Sequence, residues 1–226
     1  MKKKAYHHGH LKNAMIESGI RLLNSNGMEG FSLRKVASRC GVSSSAPYTY
    51  FSGKKELLHA MENHVNSKLL WRLFPILRTF PKTASKEQLM QLSLSYITFF
   101  LENPHYFDFL FHTCKTRLPL SLSEALTGRR SPFLRLYQSC CRALEASGCP
   151  RELQELRILS YLSTIHGIIS FSTTPGFVYH KSWQAQLPYL ITPALELLLA
   201  PAMLPTEAFF LCPGINPHSQ SLLTIP

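Results

Sequence analysis

Six hydroxyl-bearing side chains crowd into eight residues at Ser43, Ser44, Ser45, Tyr48, Thr49 and Tyr50, without one charge among them. Serine and threonine hydroxyls reach phosphate oxygens or base edges, and a threonine or alanine methyl such as that of Ala46 can meet the thymine methyl. At a helix N-terminus they would act beside a dipole that favours an anion. Ser52 and Gly53 then open a further helix with Lys54 and Lys55 in its first turn, the end where the dipole disfavours a cation. A neighbouring phosphate gives that placement a reason. The chemistry written here is recognition of a polyanion, with no bond made or broken. Reactive chemistry finds no comparable set: the 13 carboxylates stand singly, and no nucleophile elbow, phosphate loop or metal-ligand spacing organises the cysteines and histidines. His7, His8 and His10 cluster without cysteine or carboxylate companions. The expectation is a non-enzyme with no metal and no cofactor.

The hydroxyl cluster needs a rigid support, and the residues before it supply one. Leu33, Val36, Ala37 and Cys40 form one apolar helical face. Ser32 precedes it as an N-cap candidate, its hydroxyl able to accept from a backbone N–H, and is counted among the DNA-binding residues. Gly41 follows where a left-handed residue ends a helix, and Val42 can fold back on the same face. Ser43 or Ser44 should cap a second helix, with Pro47 in its first turn, where a missing N–H costs little. Two short helices joined by a tight turn offer the second to a DNA major groove. A helix over Leu11–Asn24, with Leu11, Ala14 or Met15, Ser18 and Leu22 on one face and Asn26-Gly27 at its end, should brace the pair, burying Leu22 and Leu23 against Val36 and Phe31.

Further helices are expected from Lys54 toward Phe74, ended by Pro75 and Pro81, and over Ser85–Glu102, apolar on nearly all sides. A short segment follows Asn103-Pro104. Pro132–Ala146, stopped by Gly148, Arg151–Phe171 and Leu187–Leu199 complete the set. No alternating strand pattern persists, and no repeat is visible. The fold class is all-α: an N-terminal three-helix helix-turn-helix DNA-binding domain and a C-terminal helical bundle. The boundaries are a basic N-terminal arm at 1–5, the DNA-binding domain at 6–52, a linking helix at 53–80, the C-terminal bundle at 81–200, and a Pro-rich apolar tail at 201–226.

Residues 6–64 resemble the DNA-binding domain of the tetracycline-repressor (TetR/AcrR) family of transcriptional regulators. The resemblance rests on Tyr6-His7-His8-Gly9, on Gly41-Val42-Ser43 at the turn, on Ala46-Pro47-Tyr48, and on Phe51 with Lys54. The YHHG and APY segments are similar to one branch, whose effector domain carries a Trp…His-Gly element. His166-Gly167 matches the His-Gly part, whereas Tyr161 and Leu162 stand where the Trp is expected. The resemblance implies that the bundle at 81–200 is an effector-binding and dimerisation domain, in a homodimer whose last two long helices, 151–171 and 183–199, pack as a four-helix interface. It also implies an inverted-repeat operator in double-stranded DNA and release by a small-molecule effector. Gly167, beside Ile165, Ile168 and Ile169, would let a partner helix approach closely. A symmetric pair placed about 34–36 Å apart spans successive major-groove faces.

Charge agrees with a nucleic-acid partner. Of the formal net charge of +11, residues 1–60 carry ten Lys and Arg against three Asp and Glu, an asymmetry that fits DNA or an acidic membrane surface. Lys2, Lys3 and Lys4 are either a DNA-tracking arm or a solvated tail. Six cysteines, at 40, 114, 140, 141, 149 and 212, show no paired spacing, which fits reduced thiols of a cytoplasmic protein; a redox-sensing DNA-binding protein is the sharper alternative. Membrane association is the other alternative, from the apolar stretch Leu187–Cys212, but its prolines and its carboxylates Glu196 and Glu207 make a spanning helix costly, and no membrane partner is expected.

Phe99, Phe100, Tyr106, Phe107, Phe109 and Phe111 place six aromatics within thirteen residues. They form either plain core or the wall of a cavity for an apolar or amphipathic ligand. Phe100, Phe107, Phe111, Tyr161 and His166 are the candidate lining. His166, in an apolar helix, is read either as a satisfied core or interface residue or as the polar group of that pocket.

Overall fold

The computed structural model of the chain describes residues 8–79, 84–114, 132–174, 176–177, 179 and 181–201. Within these the ordered elements are helical: α1 (His8–Gly30), α2 (Leu33–Arg39), a single 3-10 turn (Ala46–Thr49), α3 (Lys54–Thr79), α4 (Lys86–Glu102), α5 (Pro104–Phe107) continued by a π-helical turn (Asp108–Thr113), α6 (Pro132–Ala146), α7 (Arg151–Thr173) and α8 (Trp183–Leu199). The all-α expectation holds among the described residues. The arm at 1–5 and tail residues 202–226 lie outside them.

α1 buries Met15, Ile16, Ile20, Leu22 and Leu23 in the same cluster as Phe31, Leu33 and Val36, so the brace expected behind the helix-turn-helix is present. Ala14 is exposed. Ala14 and Met15 sit about 100° apart around the axis, so only one of them can face the core. The break foreseen at Asn26-Gly27 appears as a kink at Gly27 (φ 66°), after which one more turn runs to Gly30. Glycine tolerates that left-handed conformation without a Cβ clash.

α3 does not stop at Pro75; it continues to Thr79. Pro75 is exposed, so the hydrogen bond that the ring removes is lost on the solvent side, where water can replace it. Pro188 and Pro193 inside α8 are likewise exposed. α4 is the centre of the C-terminal half, packed by α3, α5, α6, α7 and α8. Ser85 caps it by accepting from the Gln88 N–H at 3.1 Å. Its buried residues include Leu89, Leu92, Tyr96, Ile97, Phe99 and Phe100, each worth ~1.5–3 kcal/mol of transfer free energy. The boundaries expected for α4 and α6 match to within a residue, and α7 runs two residues past Phe171.

Candidate nucleic-acid interface and effector site

The first helix of the reading pair forms as its sequence requires. The Ser32 hydroxyl accepts from the Lys35 N–H at 3.3 Å, and Leu33, Val36 and Ala37 are buried. Gly41 takes φ 66°, and the Val42 N–H returns to the Ala37 carbonyl at 3.1 Å. That bond spans five residues and closes a Schellman motif.

The second element departs from expectation. Ala46–Thr49 is one 3-10 turn and not an α-helix over Ser43–Tyr50. Its N-cap residue is Ser45, with no side-chain capping bond, where Ser43 or Ser44 was expected. The Ser43 and Ser45 hydroxyls instead pair at 3.1 Å. The Pro47 carbonyl accepts from both the Tyr50 and Phe51 N–H groups at 3.0 and 2.9 Å. Pro47 and Phe51 are buried and anchor the turn from beneath. The outward side then consists of Ser43, Ser44, Ser45, Thr49 and Tyr48, the last 56% exposed. Ala46 and Tyr50 are half-buried at its flank. The uncharged cluster is thus brought together on the solvent-facing side of the turn and of the residues leading into it.

The two lysines after it separate. Lys54 folds back: its ammonium donates to the Met28 carbonyl at 2.7 Å and lies 5.7 Å from the centroid of the Phe31 ring. It therefore ties α3 to the end of α1 and is not presented outward. Lys55 is exposed, as are Arg34 and Arg39 on α2. The opposing dipole at the start of α3 is balanced by Glu56, whose carboxylate accepts from the Ser52 N–H at 2.6 Å. That bond lowers its pKa. Lys2, Lys3 and Lys4 lie outside the described residues.

In the C-terminal half, Phe100, Phe107, Phe111 and His166 come together. The Phe111 and Phe107 ring centroids lie 4.8 and 5.8 Å from the imidazole, and Phe100 lies 5.4 Å from Phe107 and 5.9 Å from Phe111. Two residues that sequence reasoning missed complete the cluster: Phe133, at 5.7 Å and edge-on to His166, and Tyr96, whose hydroxyl is 3.3 Å from His166 Nε2. Tyr96 precedes Phe100 by one helical turn, a spacing that signals a shared face; Phe133 gave no local signal. Burial lowers the His166 pKa to about 4, so the imidazole is neutral at physiological pH. Tyr161 is engaged elsewhere, its hydroxyl paired with that of Ser93 at 2.6 Å. Burial also makes thiols of this half poor nucleophiles, raising Cys114 and Cys141 to about 11 and Cys140 further still. Among the described residues no helix is long and apolar enough to cross a membrane.

Two family profiles match this chain: one described as bacterial regulatory proteins of the tetR family, over residues 15–61, and one described as a tetracyclin repressor-like C-terminal domain, over residues 89–189. The chain belongs to the TetR family. Members are DNA-binding transcriptional regulators and not enzymes. This TetR-family regulator is 39% identical over 62 residues to the tetracycline repressor protein class C of Escherichia coli, an alignment covering 25% of this chain and 28% of that protein. It is 32% identical over 80 residues to YuxN, an uncharacterized HTH-type transcriptional regulator of Bacillus subtilis (strain 168), covering 34% of this chain and 28% of YuxN. The matches thus span just over a quarter of the curated relatives' length. The fold is shared more widely. A TetR family regulator from Marinobacter aquaeolei VT8 superposes with a TM-score of 0.61 at 17% identity, covering 84% of this chain and 95% of that one. A TetR-like regulator from Rhodococcus sp. RHA1 gives 0.57 at 16% identity, covering 84% and 98%.

Proposed function

We propose that this regulator is a homodimeric repressor that reads an inverted-repeat operator in the cytoplasm and is released from it by a small apolar or amphipathic ligand. The observation that carries the reading is the outward-facing, uncharged stretch Ser43–Thr49, flanked by Lys55, Arg34 and Arg39. Hydroxyls supply base-edge and phosphate hydrogen bonds, and the flanking cations supply the sequence-independent share of affinity. An arm at Lys2–Lys4 would add phosphate contacts.

A two-fold partner is supported by the outer faces of α7 and α8. Leu156, Leu159, Ser160, Ser163, Gly167 and Phe171 follow one another at helical spacing along α7, and Tyr189 and Leu197 continue the patch on α8. Large apolar groups left uncovered in this number mark an interface, and the small residues between them let a symmetry mate approach closely. The division at 6–52, 53–80 and 81–200 assigns reading to the first part and pairing and sensing to the last. The ring cluster around the neutral His166 is the ligand site this reading favours, and the His166-Gly167 pair favours the Trp…His-Gly branch of the family.

The test is direct. Purified protein should retard a palindrome drawn from the DNA flanking its own gene at concentrations where random competitor of equal length is not bound, at moderate ionic strength. A library of hydrophobic compounds should contain members that raise the melting temperature and weaken that complex. Equal binding to palindrome and competitor would refute the regulator reading. Compounds that leave both stability and operator binding unchanged would refute the ligand site.

A further inference from the structure

Glu17 lies on α1 and is the meeting point of three helices. Its Oε1 accepts from His64 Nε2 at 2.8 Å and from the Lys68 ammonium at 3.1 Å, both on α3. It also accepts from the hydroxyl of Tyr106 on α5. Lys68 donates in turn to the Tyr106 oxygen at 2.9 Å, and His105 Nε2 stands 4.0 Å from Glu17 Oε2. Two turns further along α1, on the same face, Asn24 donates to the His105 carbonyl at 2.7 Å and accepts from the Thr113 hydroxyl at 3.3 Å. Burial alone would raise the Glu17 pKa, yet the bonds from His64, Tyr106 and Lys68 outweigh it and bring the value to about 2. The carboxylate is therefore ionised at neutral pH, with three donors on Oε1.

These groups border the ring cluster, since Tyr106 stacks on Phe99 at 5.9 Å and Phe99 meets Phe100 at 5.2 Å. They join the reading domain, through α1, to the first helices of the other domain. α5 and its π-turn pack against α1. We propose that Glu17 is a positioning residue for operator binding: by bolting α1 to α3 and α5, it fixes the angle at which each protomer's reading turn is presented. Through that angle it fixes the spacing between the two turns of a dimer. A charge-assisted, three-donor carboxylate is shorter-range and more directional than apolar packing, so it suits an orientation that must be held to a fraction of the groove spacing. This inference rests on the dimeric inverted-repeat reading.

The experiment compares full-length wild type, Glu17→Gln, Tyr106→Phe and the double variant. Each is titrated against the preferred palindrome, against palindromes with one or two base pairs added or removed at the centre, and against a single half-site. Positioning by Glu17 should lower affinity for the preferred palindrome about tenfold in either single variant. It should also flatten the preference for one spacer and leave half-site affinity within about twofold. The two changes should be less than additive, because they remove one bond network. Tyr106→Phe keeps the buried ring and serves if Glu17→Gln fails to fold. Wild-type affinity and spacer preference in both variants would overturn the proposal, and so would an equal loss on half-site and palindrome, which marks a purely structural role. Absence of any palindrome preference in the wild type would instead refute the dimeric operator reading.

Discussion

Leu156 and Leu197 give the pairing face its sharpest test. They are 65% and 61% exposed in the protomer, so truncating them leaves the fold intact, and any loss falls on whatever covers them. Full burial of a leucine stabilises by ~1.5–3 kcal/mol, so removing the exposed fraction costs about 1 kcal/mol per side chain. In an isologous interface each substitution occurs twice, which brings Leu156→Ala with Leu197→Ala to about 4 kcal/mol per dimer. That corresponds to about a thousandfold rise in the dimer dissociation constant. Sedimentation equilibrium from nanomolar to micromolar protein should show the double variant dissociating where the wild type is still paired. Far-UV circular dichroism should be unchanged, and palindrome binding should weaken in parallel. If the double variant dimerises as tightly as the wild type, the pairing face lies elsewhere. If it is monomeric yet binds the palindrome undiminished, pairing is not what operator recognition requires.

Three further outcomes follow from the geometry. The Glu17 carboxyl, lowered from 4.5 to about 2, is a depressed acid, so its stabilisation is present above pH 4.5 and is lost as pH falls toward 2. Allowing for its partial solvent access, ~2 kcal/mol should separate wild type from Glu17→Gln at pH 7, and denaturant titrations should converge near pH 2. Lys55→Ala should reduce the slope of log affinity against log salt by about one without changing the melting temperature. Lys54→Ala should leave that slope unchanged and destabilise by ~1 kcal/mol through loss of the Met28 bond and the ring contact; reversed roles would refute the fold-back geometry. In native protein at pH 8 a thiol reagent should spare Cys140, which is wholly buried; modification at the rate of a free thiol would show that site to be open.

How far the sequence could be read depended on how far apart the interacting residues lie. The Ser32 cap, the apolar face of α2 and the turn at Gly41 are settled within ten residues, and each formed as expected. Ser85 and Gly148 mark helix ends by the same local logic. The second helix expected over Ser43–Tyr50 forms as a single 3-10 turn at Ala46–Thr49, a choice between i+3 and i+4 bonding that no residue type in so short a segment marks. Lys54 escaped because its acceptor, Met28, is 26 residues away. The Glu17 network escaped for the same reason, joining positions 47 to 89 residues apart. Six aromatics near residue 100 pointed to a ring cluster, but the choice of Tyr96 and Phe133 as neighbours of His166, and the diversion of Tyr161 to Ser93, depend on helix packing that no local pattern encodes.

The division of labour around the reading turn bears on how such a protein diversifies. In the proposed complex the side chains that discriminate one base pair from another are small or planar and project from a scaffold held below by Pro47 and Phe51. The cations that set overall grip sit on neighbouring helices. Exchanging Ser44, Tyr48 or Thr49 disturbs neither the hydrophobic support nor the grip. After gene duplication, a sister copy could drift to a new target site without passing through an unfolded or non-adhering ancestor.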